Sequence, residues 1–217
     1  MSSTPPIQQH PTGARYEALL EVAESIAAHR QLATLFADLS RCLQPLVSFD
    51  FISLTLLDAK TNVFRLHILQ TDREVVGERP QDTPYDQSPT GEALRTRAPY
   101  YVPDVSPAGP FPILQNLLRA NGVRSYCVLP LVTAQHDLGG LSFGSERPNA
   151  YSAQDIEFMQ HVARQVAVAV DNALNHEAAR AYENQLKRER DRLSALLEIN
   201  NAVVACLSPK PLFQAIS

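Results

Sequence analysis

The chain has 217 residues, 45% hydrophobic and 19% charged, enough for one well-buried domain plus appendages and too little for two complete large ones. With 19 Lys and Arg against 23 Asp and Glu the net charge is −4, so the surface offers no bulk attraction to nucleic-acid backbones or anionic membranes, and direct binding to either is not expected. Cys42, Cys127 and Cys206 form no CxxC pair and no disulfide ladder, the opening MSSTPPIQQHPTG has no signal-peptide pattern, and the apolar runs are strand-sized, so a cytoplasmic protein is expected.

The Pro/Thr/Gln-rich opening reads as a disordered tail over residues 1–15. From Tyr16 to Leu46 apolar residues recur at helical spacing (Leu19, Leu20, Ala23, Ile26, Ala27, then Leu32, Leu35, Phe36, Leu39, Leu43), as one broken helix or two short ones. Ser48–Asp58 and Val63–Gln70 alternate as strands joined by a hairpin. A polar, Pro-rich stretch to Pro89 precedes a helical turn at Thr90–Arg97 and a short strand at Pro99–Val102. A short helix at Ile113–Asn121 follows, then a second hairpin, Arg124–Thr133 and Leu138–Ser145.

All 24 Gly and Pro residues lie outside 149–208, so those 60 consecutive residues contain no helix breaker. Ser152 is the expected N-cap, with Asp155 in the first turn. Ile156, Met159, Ala163, Val166, Val170 and Ala173 form one 3/4 stripe, a buried helix face. A second runs Tyr182, Leu186, Glu189, Leu193, Leu196, Asn200 and Val203, narrow and ringed by charge, as in a coiled-coil seam. The two stripes differ in phase. Unbroken, this helix would span roughly 80 Å at about 1.5 Å per residue.

One internal repeat bears on organisation. Leu19–Ser40 (LLEVAESIAAHRQLATLFADLS) aligns without gaps to Leu196–Ser217 (LLEINNAVVACLSPKPLFQAIS). The two share Leu-Leu-Glu, a central Ala, Leu-Phe and the final Ser, and Val22/Ile199, Ile26/Val203 and Leu39/Ile216 are conservative. A second copy of the domain is expected to begin at Leu196.

Four segments in order resemble a GAF domain, the small ligand-sensing module of signalling proteins: SPTGEALRTRAPYYVPDV (Ser88–Val105), GVRSYCVLPLV (Gly122–Val132), LGGLSFGSE (Leu138–Glu146) and YSAQDIEFMQHVARQVAVAVDNAL (Tyr151–Leu174). The wording is closest to sensory domains of enhancer-binding transcriptional activators of the formate-hydrogenlyase-activator type, where tandem GAF domains precede an ATPase and a helix-turn-helix. No GxxxxGK[ST] occurs here, so such an output is an inference about a remainder of the protein. Histidine kinases and cyclic-di-nucleotide enzymes carry GAF domains too. The Asn-Lys-Phe-Asp-Glu constellation of the family's cyclic-nucleotide binders is not found, and no Cys or His is matched to those that hold bilin or haem, so no cofactor is assigned. The resemblance implies a GAF domain over 16–176, a coiled-coil linker helix over 177–195, and the first helix of a second, truncated GAF domain over 196–217.

Most chemistry-bearing residues read as ordinary. Cys127, mid-strand with no His or Cys nearby, is a small buried residue, and the cysteine cluster of GAF-type methionine sulfoxide reductases is lacking. His161 and His176, 15 apart on the helix, make no metal pair. Ser142 in GGLSFG lies between strands, not at a strand-to-helix elbow, and the carboxylates Asp137 and Glu146 have no general acid–base spacing. KRERDR (Lys187–Arg192) is a solvated helix face with a Glu183–Lys187 pair. No enzymatic activity is expected.

The expected fold is α/β (α+β): a GAF/PAS-like twisted, mainly antiparallel sheet of five or six strands, with terminal helices on one face and short helices and loops on the other. Ile52, Leu54, Leu56, Phe64, Leu66 and Ile68 are expected under the terminal helices. Phe51, Ser53, His67, Tyr101, Arg124, Tyr126 and Phe143 are expected to line a small-molecule pocket beneath a lid, Asp104–Asn121. Tyr182, Leu186, Leu193, Leu196, Asn200 and Val203 are expected to form a parallel homodimer seam. The function expected is effector sensing and dimerisation in a bacterial signalling or transcriptional regulator. The competing reading is a ligand-free dimerisation spacer.

Overall fold

The computed structural model describes residues 35, 38, 39, 41, 43–71, 82–106 and 109–207, side chains at 68–71, 82 and 204–207 aside. The expected tail at 1–15, most of the first helix and the end of the repeat at 208–217 lie outside the described residues. The chain divides into two units, Met1–Leu174 and Asn175–Ser217.

The first unit is built on a six-stranded sheet: β1 (Phe51–Asp58), β2 (Val63–Thr71), β3 (Asp82–Pro84), β4 (Tyr100–Val102), β5 (Ser125–Val132) and β6 (Asp137–Ser145). The order across it is β3-β2-β1-β6-β5-β4, and every neighbouring pair is antiparallel. Two short helices, α1 (Pro89–Thr96) and α2 (Pro112–Ala120), fall between β3 and β4 and between β4 and β5. The long helix α3 runs Ala153–Leu207. Its start has the reciprocal bonds of a capping box: the Asp155 N–H donates to Ser152 Oγ, and the Ser152 N–H donates to the Asp155 carboxylate.

Registry sorts the side chains into two faces, because residues opposite one another in antiparallel strands point to the same side. The column Tyr101–Cys127–Phe143–Ile52 crosses four strands, as does Val102–Tyr126–Gly144–Phe51 one residue along. The first column belongs to the main core. There Ile52, Leu54, Cys127, Leu129, Leu141 and Phe143 pack with Leu35, Leu39 and Leu43 of the first helical segment and with Met159, Val162, Val166 and Val170 of α3. The second column belongs to a smaller core with Ala93 of α1, Leu118 of α2, Val105, Val123 and Val128. The α3 stripe is thus used as its spacing predicts.

One expectation about the faces fails. The β1–β2 hairpin closes with Asp58 opposite Val63 over a four-residue loop, Asn62 taking φ 55, so even positions of β1 face odd positions of β2. Leu54 is paired with His67, Thr55 with Leu66, and Leu57 with Phe64. Ile52, Leu54 and Leu56 do join the main core. Phe64 and Leu66 share the other face, and Phe64 stacks on Tyr85 at 5.4 Å. Ile68 is registered opposite Ser53.

The second unit, in its described part, is the helix from Asn175 onward, and every residue from 175 to 203 is exposed.

Candidate functional site

The face opposite the main core carries the polar chemistry. α1 opens with Ser88 as N-cap, its hydroxyl accepting from the Gly91 N–H at 3.0 Å, and with Pro89 preset for the first turn. The helix then lies directly on β6. A Cβ at Gly140 would come within 2.8 Å of Thr90 Cγ2, so the glycine sets this distance.

The segment between β4 and β5 is fastened at several points. Arg119 Nε donates to the Val105 carbonyl at 2.7 Å, and the Val105 N–H donates to the Arg124 carbonyl at 2.8 Å. Gln115 is only 4% exposed, and its Oε1 accepts from the Gly109 N–H at 2.7 Å. Asp104 accepts from the Ser106 N–H and lies 3.6 Å from Arg124. The Ser106 hydrogen bonds, with the Arg124 charge second, hold its carboxyl below the usual range. The expected lid is therefore a tied segment, with Leu114 and Leu118 turned into the smaller core.

Beneath it stands Tyr126. The residue is 3% exposed, and its hydroxyl has no hydrogen-bond partner among the described residues. Burial, and then the neighbouring Tyr100, push the phenol far up, so it is a neutral donor at any physiological pH. The Tyr100 ring lies 6.3 Å from that of Tyr126 and meets Phe111 edge-on at 5.7 Å. Its own phenol is pushed up by burial and then by the charge of Glu92. Ser53, also buried, is registered opposite Ser142 of β6. A buried polar atom left unpaired costs free energy, so on this face Tyr126 marks a point where a hydrogen-bond acceptor would be favourable, as the equally unpaired Tyr151 hydroxyl does in the main core.

Of the expected pocket residues, Phe51, Ser53 and Tyr126 share this face. Arg124 sits just before β5 and is exposed, beside Asp104. Tyr101 and Phe143 are on the opposite face with Cys127, and the Tyr101 hydroxyl accepts from the Tyr151 N–H. His67 is on that opposite face too, level with Leu54, and burial and then Arg65 lower its pKa. Strand parity misplaces His67 because hairpin closure, not residue number, sets the side, while Tyr101 and Phe143 take their side from pairing with Cys127, which parity alone does not reveal. Tyr100 and Ser142 are strand members of this face that residue order does not reveal, and Phe111 joins them from the segment before α2; pairing β4 to β5 before assigning faces finds Tyr100. Burial pushes the Cys127 thiol up to about 12. Among the described residues no cluster of three His, Cys, Asp or Glu could hold a metal ion.

A second set of contacts joins the β5–β6 turn to two helices. Arg97, just past α1 with φ 55, pairs with Asp137 at 2.5 Å. On the other side of the same turn, Thr133 Oγ1 donates to Asp171 of α3 at 3.1 Å, and His136 Nδ1 lies 2.9 Å from its other carboxylate oxygen.

A family model described as a GAF domain matches residues 20–171. The chain belongs to the GAF family. It is 25% identical over 189 residues to the DNA-binding transcriptional activator HyfR of Escherichia coli K12, covering 85% of this chain and 28% of the relative. The chain thus spans little more than a quarter of that protein. Among solved structures, the GAF domain of a two-component sensor histidine kinase from Bacillus halodurans superposes with TM-score 0.59 at 21% identity, over 69% of this chain and 99% of that one. The free methionine-R-sulfoxide reductase of Neisseria meningitidis, in complex with its substrate, superposes with TM-score 0.62 at 18% identity, over 79% and 98%. Both likenesses speak to the fold. GAF domains thus occur in regulators and kinases. The expectation of no enzymatic activity is overturned by the reductase: this fold also carries an enzyme, so the lack of a familiar nucleophile pattern is no evidence against catalysis. No helix among the described residues is long and apolar enough to cross a membrane.

Proposed function

We propose that the first unit is the effector-sensing domain of a cytoplasmic bacterial regulator, binding a small molecule against the Tyr126 face and passing the change on through α3. The observation that carries this is the buried, unpartnered Tyr126 hydroxyl beneath the segment running to α2. The ligand class it suits is a small molecule with a hydrogen-bond acceptor and a flat apolar part, to lie among Tyr100, Phe111 and Phe51. The likeness to HyfR supports a transcriptional output, and the likeness to the sensor-kinase domain supports a kinase output. In either case the Leu196 repeat supports a second GAF domain after this one.

One observation favours the spacer reading instead: Ala93, Val105, Leu118, Val123, Tyr126 and Val128 already pack together on this face. A thermal-shift screen with a chemically diverse metabolite panel separates the two. A true effector at 100-fold its dissociation constant adds about 2.7 kcal/mol of stability, and Tyr126→Phe should reduce that shift. If no compound moves the wild-type melt, the spacer reading stands.

A further inference from the structure

We propose that the effector of the Tyr126 face is an uncharged molecule that lies over Ser142 and accepts hydrogen bonds from the Ser142 and Tyr126 hydroxyls, and that the face rejects carboxylates and phosphates. This rests on the sensing reading and deepens it, by naming the chemical class the site takes and the residue on its floor.

The floor is set by β6. Its side chains alternate between the two faces, so Gly140, Ser142 and Gly144 lie on the Tyr126 side while Leu141 and Phe143 enter the main core. The strand runs between β1 and β5, in the interior of the sheet. From Leu138 to Ser145 every residue is buried except Ser142. The two glycines do not open the sheet, because neighbours fill their places. A Cβ on Gly140 would meet Thr90 and Val128, and one on Gly144 would meet Val123 at 3.2 Å and Phe51 at 3.4 Å. The place on this stretch that a molecule from outside can reach is therefore Ser142, with Ser53 of β1 on one side and Val128, then Tyr100, on the other. Tyr126 stands one row along, its ring 6.3 Å from that of Tyr100. Four residues of strand between the glycines span about 14 Å, and both ends are filled, which leaves room for a metabolite and not for a polymer.

Charge decides what can lie there. Among the described residues no charged side chain is buried, and the buried polar ones are Ser53, Ser88, Thr90, Gln115, Ser125 and Ser145. The cations around the face are turned outward and engaged. Arg95 pairs with Glu92 at 2.6 Å, Arg97 with Asp137 and Arg124 with Asp104, and these three arginines are between 47% and 66% exposed. Arg119 is committed to the Val105 carbonyl. The start of α1, the helix laid on β6, is closed as well. Pro89 has no N–H, the Gly91 N–H donates to Ser88 Oγ, and the Glu92 N–H donates to the Ser88 carbonyl. An anion over Ser142 would thus leave water with no countercharge, on a face where the Glu92 carboxylate already acts on Tyr100. Burying an unpaired charge costs far more than one hydrogen bond returns. A neutral amide, alcohol or ketone keeps the hydroxyl contacts without that cost.

A library of aromatic and aliphatic primary amides, each with its matched acid, tests this by ligand-observed NMR on the full chain at neutral pH. Benzamide with benzoate and nicotinamide with nicotinate are two such pairs, and inorganic phosphate is a further anion. The amides that bind should do so at least about 10-fold more tightly than their acids, and phosphate should not bind. Ser142→Ala should weaken those amides about 3–10-fold. Ser142→Val, which puts two methyl groups over the floor, should abolish their binding; if that variant does not fold, Ser142→Ala decides. Acids that bind as tightly as their amides overturn the proposal and leave the sensing reading standing. Amide binding that Ser142→Ala does not change overturns the placement over Ser142. A library in which no pair binds overturns the proposal outright, and the metabolite screen then shows separately whether sensing falls with it.

Discussion

Replacing Tyr126 by Phe removes one oxygen from a residue that is 3% exposed. In most proteins deleting a buried hydroxyl destabilises, because a hydrogen bond goes with it. Here the hydroxyl has no partner among the described residues, so the sign reverses. An unpaired buried polar group costs about 1–3 kcal/mol. The oxygen also makes dispersion contacts at about 0.1–0.2 kcal/mol each, and losing several returns about 0.5–1 kcal/mol. The net expectation is a gain of about 1 kcal/mol for the ligand-free variant. For a chain of this size that is a rise in melting temperature of about 2–4 °C. Urea denaturation is the cleaner assay, since an unchanged slope with a higher midpoint isolates stability from changes in exposed surface. A loss of about 1 kcal/mol or more would mean that the hydroxyl is hydrogen-bonded in solution, and the reasoning that makes Tyr126 the centre of the site would fail.

Further outcomes follow from neighbouring features. Burial, and then the Arg65 charge, lower the His67 pKa below its ordinary value of 6.5, so the folded state binds the proton less readily than the unfolded chain. His67 therefore contributes stability above that value which is lost as pH falls through the lowered one. His67→Gln should flatten the fall in urea midpoint between about pH 7.5 and 5.5, and an unchanged pH profile would refute this. Gly140→Ala should drive a methyl into Thr90 and cost about 1–3 kcal/mol by overpacking. Gly140→Ala combined with Thr90→Ser, which removes the opposing Cγ2, should recover most of that in a thermal melt.

Much of this fold could be read from residue order alone, and the reason is local. The alternation in β1 and β2, the apolar runs of β5 and β6 and the 3/4 stripe of α3 are local signals, and each element is found close to its expected bounds. β3 carries no strand signal in the sequence: of its three residues, Asp-Thr-Pro, two are disfavoured in strands, and pairing with Val63–Arg65 makes them one. The candidate site was half legible for a related reason. Phe51, Ser53 and Tyr126 lie on strands whose register is carried by long antiparallel pairs. His67 depends on one hairpin's loop length, and a one-residue difference there moves a whole strand to the other side. Nothing in the sequence marks the Tyr126 hydroxyl as unpaired, because pairing is a property of its neighbours.

The β5–β6 turn has a mechanical consequence. Sheets separate their two faces, and elements packed on opposite sides ordinarily communicate only through the strands between them. Here three residues of the turn at the sheet's rim act as a tie rod. Asp137 holds Arg97 at the end of α1, while Thr133 and His136 hold Asp171 on α3. A shift of α1 by more than a bond's tolerance must either break the Arg97–Asp137 pair or carry the turn with it. The turn cannot travel without loading Asp171, three residues before the first unit ends at Leu174. The helix over Gly140 and the helix that leaves the domain are therefore joined around the edge of the sheet as well as through its strands.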